Sequence, residues 1–75
     1  MRRFRDGSGR DWEAVVGRES WGAFFAIFVP AAGPDPVRQT QLDAGSWAEA
    51  EQMIDTFAEP ELHELLGRAT IKSLG

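Results

Sequence analysis

Acid–base chemistry at neutral pH needs a side chain that exchanges a proton near pH 7, and His63 is the only histidine among the 75 residues. Glu59 and Glu64 flank it, so His63 with Glu64 is the one pair from which a base and its orienting partner could be built. The apolar residues around it, Leu62, Leu65, Leu66 and Ala69, recur at helical spacing and leave His63 off their stripe. A solvated histidine on a helix surface accounts for that position without any catalysis. No serine lies in a Gly-x-Ser-x-Gly elbow, and Gly7-Ser8-Gly9 lacks the longer Gly-rich stretch and Gly-Lys-Ser/Thr ending of a phosphate loop. The acids Glu49, Glu51, Asp55, Glu59, Glu61 and Glu64 have no calcium-loop spacing and read as a solvated helix face. With no cysteine and one histidine, a zinc site has no ligand set. The expectation is a protein that is not an enzyme, with no cofactor, no metal and no small-molecule ligand.

Nucleic-acid binding requires clustered cations, and the candidates are Arg2, Arg3 and Arg5 around Phe4, joined by Arg10. Arginines alternating along a terminal edge strand also serve to block edge-to-edge pairing, which is the plainer account. The net charge of −4 divides unevenly: residues 1–38 sum to +1 and residues 39–75 to −5. An acidic helical half argues against general phosphate binding. A nucleic-acid-associated regulator using the Arg-rich hairpin stands as the alternative function.

The elements that hold these residues follow from pattern. Strands are predicted at 2–6, 12–17, 21–30 and 37–43, and helices at 47–58 and 60–69, in one small domain spanning 1–75. Gly7-Ser8-Gly9-Arg10 turns the first two strands into a hairpin, and Pro30, Pro34 and Pro36 end the third strand. Links this short favour an antiparallel meander. Ser46 and Glu49 have capping-box spacing at the start of the first helix, and Pro60 suits the first turn of the second. The fold class is therefore α+β: an antiparallel sheet of about four strands followed by two helices packed on one face. The tail at 70–75 reads equally as a short added strand or as disorder.

The third strand carries the functional expectation. Trp21, Ala23, Phe25, Ile27 and Val29 alternate with Gly22, Phe24, Ala26 and Phe28, so both of its faces are apolar. Two helices cover one face. The other, taken as Phe24 and Phe28 helped by Val15, needs either a sheet curled into a partial barrel or a protein partner. Trp21 and Trp47 are expected in the core. A chain this short buries a thin core, and without cysteine self-association is a stabilising device still open to it. No apolar segment approaches membrane-span length, and no secretory h-region follows Met1-Arg2-Arg3-Phe4-Arg5. The expected function is a small cytoplasmic protein-interaction or assembly module, acting as a homodimer through an apolar sheet face.

Overall fold

The computed structural model describes residues 2–19 and 22–72. Four strands run in meander order, β1 (Arg2–Arg5), β2 (Asp11–Arg18), β3 (Phe24–Pro30) and β4 (Arg38–Leu42). Helices α1 (Trp47–Thr56) and α2 (Glu59–Arg68) follow, and a two-residue strand β5 (Thr70–Ile71) returns antiparallel to β4. The result is a five-stranded antiparallel sheet in the order β1-β2-β3-β4-β5, with both helices on one face. The tail thus supplies an added strand at 70–71, held also by the Lys72 N–H donating to the Val37 carbonyl at 2.8 Å. Trp21, placed by pattern at the start of the third strand, lies outside the described residues.

The first two turns share one chemistry. In each, an acidic residue closes the ladder with the residue four positions on: Asp6 N–H donates to Arg10 O at 2.8 Å, and Glu19 N–H to Ala23 O at 2.9 Å. Each also has a glycine at the fourth position whose N–H returns to the acidic residue's carbonyl, Gly9 at φ 87° and Gly22 at φ 94°. Only glycine adopts such positive φ without a Cβ penalty, so these glycines set the strand register.

That register decides which face is core. It pairs Trp12 with Pro30, Ala14 with Phe28 and Val16 with Ala26, while Phe4 faces Trp12 and Phe24 faces Leu42. These residues form the helix side of the sheet. Phe28, Ile54 and Leu62 are fully buried there, with Trp12, Ala14, Ala26, Leu42, Ala50, Leu65, Leu66 and Ala69 around them. The Phe4 ring meets Phe28 edge-on, centroids 5.8 Å apart.

The helix ends are capped as their residues dictate. Ser46 Oγ accepts the Glu49 N–H at 3.2 Å, and the Glu61 carboxylate accepts the Ala58 N–H at 3.4 Å ahead of α2. Pro60 occupies the second residue of α2, one later than the spacing implied, still inside the turn that needs no N–H. The open carbonyls ending α1 are met from across the fold. Arg2 Nη1 donates to Phe57 O at 2.7 Å, Asp55 O at 3.1 Å and Ile54 O at 3.4 Å.

Candidate functional site

The register overturns the expected assignment of faces. Phe24 and Phe28, proposed as the uncovered interface, lie beneath the helices: Phe28 is fully buried and Phe24 packs against the core and edge-on to Trp47. The physical reason is the neighbouring strands. β1 and β2 offer Phe4, Trp12, Ala14 and Val16 on that side, so the helices cover the side where apolar residues align across several strands. Val15, expected beside Phe24 and Phe28, lies on the opposite face, where its cross-strand partner is Ile27.

The open face is built from alternate residues. Val15 and Ile27 pair at its centre, Glu13 and Val29 pair at one end, and Gly17 pairs with Phe25 at the other. Ile27 lies over Gly17, where an added Cβ would collide with its side chain, so the glycine lets the isoleucine lie flat across the sheet. Gln39 and Gln41 flank it on β4. On β1 and β2 two ion pairs flank it, Arg3–Glu13 at 2.7 Å and Arg5–Asp11 at 3.0 Å, each exposed to water. Hydrogen bonds to these acids, with their charges, raise both guanidinium pKa values. No helix packs on this side. The sheet order is open, so among the described residues the strands do not close into a barrel.

The four candidate nucleic-acid contacts are not brought together as a free cationic stripe. Arg2 is the α1 cap, Arg3 and Arg5 hold acids on β2, and Arg10 holds Asp35 at 2.6 Å, tying the first hairpin to the β3–β4 loop.

His63 is on the exposed side of α2, and its Nε2 lies 2.6 Å from the Arg5 carbonyl. A carbonyl only accepts, so Nε2 carries the proton and donates. Because Asp6 pairs with Arg10, Phe4 and Arg2 point their backbone groups at β2, while those of Arg3 and Arg5 face outward. His63 therefore closes one outward carbonyl of the β1 edge. Pattern alone missed this role, because nothing in the sequence links residues 5 and 63.

Asp6 was also missed as a structural hub. Its Oδ1 accepts from the Ser8 N–H, the Ser8 hydroxyl and the Arg10 N–H, each at 2.9 Å, and its Oδ2 accepts the Trp12 indole N–H at 2.9 Å. Partial burial alone would push this carboxyl up. The hydrogen bonds from Trp12, Arg10 and Ser8 outweigh that and hold it far below the usual carboxylate range.

Trp47, expected in the core, is 46% exposed. It opens α1 beyond the end of the sheet, leaning on Phe24 and donating its indole N–H to Glu51 Oε1 at 2.8 Å, one turn along the same helix.

Concave regions open on the helix side. One of about 400 Å³ lies between the helices and β4, floored by Leu42, Met53, Phe57 and Leu65. Another, of about 270 Å³, lies under the first hairpin beside Trp12, Arg38 and His63. Arg38 Nε is buried there without a hydrogen-bond partner. Among the described residues, no three His, Cys, Asp or Glu side chains cluster in a way that could hold a metal ion. No helix among them is long and apolar enough to cross a membrane.

No family model, curated protein or solved structure matches this chain. The functional reading therefore rests on the geometry above.

Proposed function

We propose that this protein is a small, non-catalytic cytoplasmic assembly module that pairs with a second copy of itself through its open sheet face. The observation that carries the reading is the apolar strip of Val15, Ile27 and Val29 on the side of the sheet that no helix among the described residues covers. Apolar residues aligned across two central strands lose contact with water when a second surface covers them.

A second copy fits better than a charged partner. The ion pairs Arg3–Glu13 and Arg5–Asp11 cancel within the face, and Gln39 and Gln41 are neutral, so its centre is free of net charge, with the Lys72 ammonium at the β5 edge donating to Gln39 Oε1 at 3.4 Å. The molecule is a slab of 32 × 31 × 18 Å. Its broad side offers room for the roughly 800 Å² per partner that stable complexes bury. Sheets packed face to face, about 10 Å apart, interdigitate side chains such as Ile27 and Val15.

Solution mass by light scattering across a concentration series tests this. The wild-type chain is expected to shift from monomer to dimer, and Ile27→Glu is expected to remain monomeric while keeping native helix and sheet content by circular dichroism. A wild-type chain monomeric throughout, or an Ile27→Glu variant that dimerises as well, would remove the proposal.

A further inference from the structure

We infer that the trough between the two helices, on the opposite side of the molecule from the open sheet, is a docking site for a basic amphipathic helix of another protein. The inference is independent of self-association and rests on different apolar residues, with Gln41 of β4 bordering both surfaces. The trough encloses about 400 Å³ and is floored by Leu42 from β4, Met53 from α1, Phe57 just past its end, and Leu65 from α2. Met53 and Phe57 are only partly buried, so each keeps an apolar flank turned to the opening. That volume holds one or two large apolar side chains and lies in the range of specific binding clefts.

Spacing identifies the shape of the occupant. The trough is lined at 53 on α1 and at 57, the residue that caps its C-terminus, and on α2 at 61, 64, 65 and 68. Positions i, i+4 on one helix and i, i+3, i+4, i+7 on the other are the contact seams that helices present to a neighbouring helix. From 61 to 68 the seam runs about 10 Å at 1.5 Å per residue, two turns of a helix laid alongside. A partner helix would present its own i, i+3, i+4 and i+7 anchors to this floor.

Charge identifies the chemistry of its flanks. The rim carries Asp43, Glu61 and Glu64 against the single cation Arg68. None of these four makes a salt bridge among the described residues. A helix bringing lysine or arginine beside its apolar anchors neutralises a rim that an acidic helix would meet with repulsion. Exposed carboxylates around an apolar floor thus select for sign as well as shape.

The test is a titration of the full chain, followed by NMR, with a synthetic 18-residue amphipathic peptide of leucine and lysine and with its leucine–glutamate counterpart. The expected result is binding of the Leu/Lys peptide alone, with shifts centred on the Met53 methyl, the Phe57 ring and the Leu65 methyls. The Asp43→Lys/Glu64→Lys variant, which leaves the Glu61 cap of α2 in place, should bind it about tenfold more weakly, or less tightly still. Shifts centred on Val15 and Ile27 would overturn the assignment, since they place the peptide on the open sheet. Equal binding of both peptides, an unchanged affinity in the double variant, or no binding of either peptide would also overturn it.

Discussion

Asp6 stands at the first residue of a hairpin loop whose chain reversal needs several N–H groups satisfied at once, and its two oxygens accept four hydrogen bonds. The carboxyl is more acidic folded than unfolded, so its contribution is fully present above the unfolded value of about 3.9. It is lost as pH falls from there towards the depressed folded value. Asp6→Asn puts an amide with its own donors among donors. Melts are expected to show a loss of about 1–2 kcal/mol at pH 7, discounted for partial exposure. The variant's stability should also fall less steeply than the wild type's as pH drops below 4. Arg2 gives a second residue-scale prediction. Arg2→Ala should cost about 1–2 kcal/mol in chemical denaturation by uncapping Ile54, Asp55 and Phe57. Arg2→Lys should recover much of it, because all three bonds run from the single Nη1 and an ammonium also carries three donors on one nitrogen.

At the scale of the element, α1 depends on its ends, because ten residues are too few to hold a helix by propensity alone. Ser46→Ala removes the side-chain acceptor at Glu49 N–H and should lower the melting temperature by an amount corresponding to about 1 kcal/mol. Strand β3 separates two effects that its sequence runs together. Phe28→Ala leaves a cavity under the helices and is expected to cost about 3–5 kcal/mol, enough to unfold much of so small a domain. Ile27→Glu, one residue away, is partly buried on the open face and opens no cavity under the helices, so it should cost far less than Phe28→Ala while altering mass in solution. Comparing those two variants by calorimetry reads the orientation of β3 directly.

For the whole molecule, charge and shape divide the labour between two surfaces. The broad sheet side is apolar at its centre, with two ion pairs that cancel and Lys72 at its β5 edge, whereas residues 39–75, which include both helices, carry a sum of −5. Self-association through the sheet should therefore tighten as salt rises. The acidic layers of two copies repel at low ionic strength, and added salt screens that repulsion without weakening apolar burial. Light scattering at 20 mM and 500 mM sodium chloride checks the direction.

Local chemistry was enough to read most of the elements. Glycine at positive φ, proline at strand ends, a serine cap and helical apolar spacing act over a few residues, so β1 to β4, α1 and α2 were legible within one to three residues wherever their ends are described. So was the buried stripe Leu62, Leu65, Leu66 and Ala69. The faces of β3 were not legible from β3 itself, because both are apolar. Only the pairing of Trp12, Ala14 and Val16 with Pro30, Phe28 and Ala26 tips the choice. The closing bond from Glu19 to Ala23 encodes that register, but its meaning appears only when three strands are laid side by side. Tertiary structure alone joined Arg2 to the end of α1, His63 to the β1 edge and β5 to β4. Each of those contacts spans more than thirty residues, and long-range pairings follow from how layers pack, which no local pattern records.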